Sequence, residues 1–121
     1  MEDKKILILE TIAEARGYLD RLIAGIEKYV DHLTKNNIRE AAVLLPGIID
    51  GLEWTYKVLY YMAPNFKNDF ELARCQDLFV EISNVMGNND TVAICDLFTY
   101  EIIPLLQKWS KYLDEENTLL K

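Results

Sequence analysis

The sequence predicts an all-α protein, an antiparallel four-helix bundle built as a single helical-bundle domain over residues 1–121. Apolar residues recur at spacings of three and four in four separate stretches, which is the period of one helix face. Short polar segments near 34–37, 63–68 and 87–90 separate the stretches, and such short links make consecutive helices antiparallel neighbours. We find no convincing strand pattern.

The first helix is predicted from Asp3, a candidate N-cap, to about Leu33. Glycine inside a helix costs about 1 kcal/mol relative to alanine, and Gly25 lies beside the apolar stripe, so we expect a close approach of a neighbouring helix there. Asparagine tolerates turn conformations, which makes Thr34–Asn37 a tight connection. The stripe steps by four and three through Ile8, Ile12, Ala15, Leu19, Leu22, Ile26, Tyr29 and Leu33.

The second helix is predicted from Ile38 to Met62, and Pro46 falls inside it. Proline there removes the hydrogen bond to the carbonyl of Ala42 and clashes with that turn. Because the apolar phase continues across the proline, we expect a kink. Shifted by 26 residues, helix 1 matches helix 2 at one glycine and two glutamate positions as well as at apolar ones. Duplication and coincidence both remain open as explanations.

The third helix is predicted over about 66–86 or 69–86, with Asn65 or Asn68 as its N-cap. Its apolar residues make a broad face. Gly87 suits the left-handed position that follows the end of a helix.

The fourth helix is predicted to begin after Asp90, whose side chain suits an N-cap. Pro104 lies in the middle of its apolar pattern and leaves the carbonyl of Tyr100 without its helical donor, so a second kink is expected. The tail, 114–121, is mostly polar and is expected to fray.

Composition argues against several classes of partner. The formal net charge of the chain is −7, whereas nucleic acids and anionic membranes both require a cationic protein face. Met1–Lys5 does not read as the start of a signal peptide, and no apolar run approaches the roughly 20 residues of a spanning helix. Cys75 and Cys95 fall in apolar patterns without a CxxC pair, so we expect reduced thiols in a cytoplasmic protein, with a disulfide between them as the alternative. No cofactor is predicted.

Neither a catalytic nor a metal-binding constellation is predicted. The single histidine, His32, lacks the Glu-x-x-His pairs that di-iron bundles use. Nothing in the pattern would lower a cysteine pKa or supply an oxyanion hole. The remaining metal hypothesis is a carboxylate-only site made by Asp50, Glu53, Asp96 and Glu101.

Glu101 falls between Phe98 and Leu105 at helical spacing, beside the carbonyl that Pro104 leaves free. A carboxylate at the edge of a core must be paired or hydrogen-bonded. Two interpretations remain open. Glu101 is either a polar anchor in a binding groove, or the acceptor of an internal hydrogen bond from a tyrosine, tryptophan or lysine of a neighbouring helix.

Helices 2 and 4 carry more apolar side chains than one core face needs. A helix that is apolar most of the way round is either central or covered by a partner, and no helix of a four-helix bundle is central. The pattern therefore predicts a dimer or a bound protein. The surplus residues are Leu44, Ile49, Val58, Tyr61 and Ile103. The candidate interaction residues are Pro46, Trp54, Tyr61, Tyr100, Glu101, Ile103, Pro104 and Trp109.

Two segments carry a pattern that resembles a known family. In 88–109 a polar Asn-Asp turn precedes Ala93, Asp96-Leu97, Tyr100-Glu101, Pro104-Leu105-Leu106 and Trp109, and in 45–54 Leu45-Pro46 precedes Gly51-Leu52-Glu53-Trp54. Together they resemble a family of small, acidic, all-helical bacterial proteins without assigned function, so the resemblance implies no activity. In size, acidity and helix count the chain is also similar to helical-bundle export chaperones such as flagellin chaperones, which is an analogy of fold alone.

Three hypotheses follow. The leading one is a non-enzymatic helical protein–protein interaction module that self-associates as a homodimer. The second is an export-chaperone-like or adaptor protein that holds a client helix in an apolar groove between helices 2 and 4. The third is a small-molecule or metal-binding bundle that uses Glu101, Tyr100 and Asp50 in an enclosed polar cavity.

Overall fold

A computed structural model describes residues 2–121, and it contains helices and turns but no strand in that range. The last three segments follow one another without a gap and form the fourth helix of a bundle. The predicted all-α, four-helix fold class is therefore confirmed. The segments are α1 (Glu2–Thr34), α2 (Ile38–Met62), a 3₁₀ turn (Ala63–Asn65), α3 (Leu72–Gly87), α4 (Thr91–Leu97), a π-helical turn (Phe98–Ile102) and α5 (Ile103–Leu120).

One core cluster joins all four helices. The buried apolar residues of α1 are the same eight that form its predicted stripe. Trp109 and Phe98 are the largest side chains that are fully buried, and the ring of Tyr29 meets Phe98 edge-on at 5.4 Å between centroids. The helical period of α1 thus predicted which of its faces the bundle covers.

Helices α1 and α2 are joined by a short turn in which Asn36 is left-handed, with φ 62°. Tyr18 packs against Trp54 at 4.8 Å between ring centroids. A Cβ added to Gly51 would lie 2.9 Å from Cδ1 of Leu22. Residues nearer the C-terminus of α1 therefore contact residues nearer the N-terminus of α2.

The close approach of α1 and α2 occurs at Gly51, and the prediction of a close approach at Gly25 is wrong. A Cβ at Gly51 would lie 2.7 Å from the hydroxyl of Tyr18, whereas a Cβ at Gly25 would meet no atom within 4 Å. The predicted stripe placed Gly25 near a helix–helix contact, but its Cα faces an open depression between the two helices.

The connection between α2 and α3 is longer than the sequence predicts. Helix α3 begins at Leu72, so the predicted start at residue 66 or 69 is wrong. Neither Asn65 nor Asn68 caps it, because Glu71 holds the N-cap position in a left-handed conformation with φ 53°.

The C-terminal part of α5 explains this difference. The carboxylate of Glu116 is 1% exposed and accepts hydrogen bonds from the backbone N–H groups of Lys67 and Asn68, at 2.8–3.0 Å, and from the side-chain amide of Asn68, at 2.7 Å. The indole N–H of Trp109 donates to the carbonyl of Phe70 at 2.7 Å. These bonds hold 67–70 as a loop instead of a first helical turn.

The expectation that the tail frays also differs from the structure. Helix α5 continues to Leu120, and Leu113 and Glu116 are buried in it. Arg16 of α1 forms an ion pair with Asp114. A mostly polar segment is thus helical because its few inward positions find partners on α1 and on the α2–α3 connection.

The turn before α4 matches one prediction and corrects another. Asp90 is the N-cap of α4, and its carboxylate accepts the backbone N–H of Ala93 at 3.1 Å, as predicted. Gly87 is the last residue of α3 and does not have a positive φ; Asn89 is the left-handed residue, with φ 53°. None of the helices in residues 2–121 is both long enough and apolar enough to cross a membrane.

Candidate functional site

Three of the predicted candidate residues, Tyr100, Glu101 and Pro104, line one polar cleft of about 260 Å³ at the π-helical turn. We call it the π cleft. Its other lining residues come from the start of α3 and from α5, and they are Glu71, Arg74, Leu105 and Lys108. The fold therefore places Tyr100, Glu101 and Pro104 beside charged residues from other elements, which no sequence pattern linked to them.

Pro104 accounts for the shape of this segment. It has no N–H with which to continue the α-helical ladder, and the turn immediately before it is π-helical. The N–H of Ile103 donates to the carbonyl of Phe98, five residues earlier, which is the π pattern. The wider turn carries Tyr100 on its outer surface, where the side chain is 73% exposed.

The charges of the π cleft are paired across its walls. Lys108 Nζ lies 2.7 Å from the Glu71 carboxylate, and this hydrogen bond and charge raise the pKa of Lys108. Arg74 Nη2 lies 3.7 Å from Glu101 Oε1. The charge of Glu101 in turn raises the pKa of nearby Glu81. Glu101 is thus paired with an arginine of the neighbouring helix instead of the tyrosine, tryptophan or lysine of the second interpretation. The first interpretation, a polar anchor in a binding groove, stays a prediction.

The chemical capacity of the π cleft is that of a charged surface. Both ion pairs are about half exposed, so each is screened by solvent and contributes little to stability. Asp50, which the third hypothesis grouped with Tyr100 and Glu101, lies on α2 outside the cleft. Across residues 2–121 no three His, Cys, Asp or Glu side chains are grouped so as to hold a metal ion.

A second site runs along the solvent-facing side of α2. Val43 and Tyr61 are 79% and 76% exposed, while Trp54 is partly covered by Tyr18. We call this line of residues the outer stripe. Its members are spaced by three and four along the helix, and they are Glu40, Val43, Gly47, Asp50, Trp54, Lys57 and Tyr61.

A depression of about 200 Å³ lies between α1 and α2 beside the outer stripe. Gly25 and Gly47 face each other across it, and a Cβ added to either glycine would meet no atom within 4 Å. Neither has a positive φ. We call this depression between α1 and α2 the glycine notch. Its remaining lining residues are Tyr18, Arg21, Leu22, Leu44 and Ile48. Internal packing and backbone conformation therefore explain neither glycine.

A narrower apolar groove of about 140 Å³ separates α2 from α3 and contains one carboxylate, that of Glu53. Aromatic rings continue the groove: Tyr56 meets Phe79 edge-on at 5.8 Å and stacks with Tyr60 at 6.2 Å. Gln76 Nε2 donates to the Tyr56 hydroxyl at 2.7 Å. None of the cavities described here is lined by both α2 and the fourth helix, which the second hypothesis requires.

The other candidate residues are dispersed. Ile103 is half-buried and lies over α1 with Val30, on the opposite side of the fourth helix from the π cleft. Pro46 is exposed beside the glycine notch. Trp109 is 0% exposed, so its selection as an interaction residue is wrong. A tryptophan on an apolar stripe fits a core as well as a surface, and its indole N–H finds a carbonyl inside the fold.

Sequence reasoning missed three features. Arg74 and Lys108 belong to other elements than Glu101, so no local pattern joins them. The outer stripe was visible as a second set of heptad-spaced positions on α2, but its charged members hid it among surface residues. Glu116 gave no signal, because a glutamate in a polar tail reads as a solvated side chain.

The family model described as "Domain of unknown function (DUF8042)" matches residues 10–112. The chain belongs to this family. The match spans most of α1, the whole of α2 and α3, and the π-helical turn, while Glu116 lies beyond it. No curated protein and no solved structure matches the chain. The family description assigns no activity, so the function must be argued from the surface and the interior of this chain.

Proposed function

We propose that this protein is a non-enzymatic protein–protein interaction module that binds through the outer stripe of α2. We further propose that it acts in the cytoplasm of a bacterium, since the thiols of Cys75 and Cys95 are both free. The observation that carries the proposal is the exposure of Val43 and Tyr61 on one line of a helix whose opposite face fills the core.

Single exposed apolar residues are normal on a protein surface, but a contiguous row is typical of an interaction site. The outer stripe is interrupted by Asp50 and Lys57, but its three large apolar side chains lie on one line of the helix. Val43 stands beside the glycine notch, Trp54 follows the central Asp50, and Tyr61 ends the row. Tryptophan and tyrosine are enriched among the residues that dominate binding energy.

The non-enzymatic part of the proposal rests on the state of the reactive groups. Burial raises the pKa of the Cys75 thiol to about 12, so this thiol stays protonated at neutral pH and is a poor nucleophile. In the π cleft, Arg74 and Lys108 are each engaged by a carboxylate of the chain. Neither cation is thus left free to stabilise a developing negative charge.

The test is affinity capture with the whole chain and two matched variants. Val43→Asp places a charge in the outer stripe, whereas Val92→Asp places one on α4, where the side chain is 70% exposed. Both sites are open to solvent, so both variants should remain folded by circular dichroism. We expect Val43→Asp to lose the bound protein and Val92→Asp to retain it. Equal capture by both variants would refute the proposed surface.

The α2–α3 groove favours a second candidate, an adaptor or export-chaperone-like protein that holds a client helix. Glu53 lines the groove and forms no ion pair with any residue in 2–121, so a client with basic residues beside its apolar face would suit it. Ser83→Trp would fill this groove without touching the outer stripe. Loss of capture by this variant, with capture retained by Val43→Asp, would replace the first candidate with the second.

A further inference from the structure

We infer that the occupant of the outer stripe is α2 of a second copy of this chain, packed antiparallel to the first. This inference rests on the proposed function, because it names the partner of the same surface. Two independent observations support it: the order of charges along the stripe and the open glycine notch.

The charges of the outer stripe are separated along the helix. Glu40 lies near its N-terminal end, Asp50 at its centre and Lys57 in its C-terminal half. All three side chains are exposed, and none forms an ion pair with another residue of 2–121. An antiparallel copy can place Lys57 of each stripe opposite Asp50 of the other. A parallel copy would place like charges opposite each other, which is unfavourable.

This order of charges is self-complementary, which is what a two-fold interface requires. In a two-fold interface, if one residue of the first copy contacts a different residue of the second copy, the same pair is also in contact with the two copies exchanged. The contact between an acidic residue and Lys57 is therefore made twice. A partner with only basic residues would leave Lys57 opposite a like charge, so a second copy fits the stripe better.

The glycine notch provides the shape. A helical glycine costs about 1 kcal/mol relative to alanine, and the chain carries one on each wall of the same notch, at Gly25 and Gly47. Neither allows a closer contact within the chain, since a Cβ would meet nothing within 4 Å. Small residues allow the side chains or backbone of another helix to approach closely. The notch, at about 200 Å³, has room for one large apolar side chain, and the exposed Tyr61 of the second copy reaches Gly47 in the same antiparallel register that places Lys57 opposite Asp50.

The charge test uses two variants that should each be monomeric alone. Lys57→Glu makes every charge of the stripe acidic, and the double variant Glu40→Lys with Asp50→Lys makes every charge basic. Light scattering after size exclusion should give twice the chain mass of 14.1 kDa for the wild type. It should give the single mass for each variant and the doubled mass for their equimolar mixture. A doubled mass in the mixture is specific evidence for charge pairing, because a misfolded variant would not associate with the variant of opposite charge.

The shape test fills the notch. Gly47→Leu should weaken self-association by roughly tenfold or more, while Gly87→Leu, at the end of α3 and also in open space, should leave it unchanged. Circular dichroism checks that both variants are helical.

A wild type that stays at 14.1 kDa at every concentration tested would overturn the inference. So would a dimer that neither the charge variants nor Gly47→Leu weaken. The proposed function fails differently, when Val43→Asp captures the same proteins as the wild type and also self-associates as it does.

Discussion

Helices α5 and α2 place their side chains in contrasting ways. On α5 the carboxylate of Glu116 is 1% exposed, whereas on α2 the apolar side chain of Val43 is 79% exposed. The carboxylate accepts four short hydrogen bonds from Lys67 and Asn68, so both of its buried oxygens have hydrogen-bond donors. No element within residues 2–121 covers Val43. Available partners, rather than side-chain polarity alone, therefore decide which side chains are buried.

The largest effect should come from removing the buried carboxylate. Glu116→Ala leaves the N–H groups of Lys67 and Asn68 without their acceptor, and we expect a loss of about 2–4 kcal/mol in the free energy of unfolding. Glu115→Ala is the matched control, because that neighbouring side chain is exposed. Urea denaturation followed by circular dichroism measures both. If the two variants lose the same stability, the contrast between α5 and α2 does not hold.

Cys75 tests burial of a titratable group that has no hydrogen-bond partner to favour its charged form. Burial raises its pKa to about 12, above the value of about 8.5 expected for an unfolded thiol. The unfolded state therefore loses this proton first as the pH rises. Stability from this group is fully present below about pH 8.5 and should fall above it by up to about 1.4 kcal/mol per pH unit.

Urea midpoints between about pH 7.5 and about pH 9 measure this slope, in a range where tyrosine is almost fully protonated. The variant Cys75→Ala should be less stable at all pH values but should lack the thiol's part of the alkaline slope. An unchanged slope in this variant would assign the pH dependence to other groups.

Two glycines of α2 test how closely this helix is covered by the rest of the chain. A Cβ at Gly51 would lie 2.7 Å from the Tyr18 hydroxyl, and Tyr18 is itself packed against Trp54, so Gly51→Ala should lose about 1 kcal/mol. In the Lys57→Glu background, which should be monomeric, a Cβ at Gly47 meets no atom, so Gly47→Ala should gain about 1 kcal/mol from helix propensity. Thermal unfolding of both variants gives the sign of each change. A loss at both positions would mean that the notch is occupied in the isolated chain.

The smallest effect should come from the exposed ion pair of the π cleft. Arg74 and Glu101 have side chains 53% and 40% exposed, and their closest atoms are 3.7 Å apart. Arg74→Ala should therefore change the free energy of unfolding by no more than about 0.5 kcal/mol. The same urea experiment measures it, and a loss comparable to that of Glu116→Ala would show that the cleft has a structural role.

The sequence predicted much of the fold but less of the site. Helix α2 has the predicted bounds, Ile38 and Met62, and Asp90 caps α4 as expected. Local signals suffice for these features, because capping and apolar period act within a few residues. The candidate list contained Tyr61 and Trp54 of the outer stripe, but it could not include Gly47, since the absence of a neighbour is a property of the packed bundle.

Apolar periodicity was enough to predict the four helices and the buried face of α1, because a helix with one apolar face has one way to turn toward a core. The burial of Glu116 and the interior position of Trp109 became visible only in the folded bundle. Their partners lie 48 and 49 residues away for the glutamate and 39 for the tryptophan. A hydrogen bond forms only when the donor–acceptor distance is right to within a few tenths of an ångström, and no local sequence pattern encodes such a distance. The folded bundle therefore sets such contacts, while periodicity sets the helices that make them.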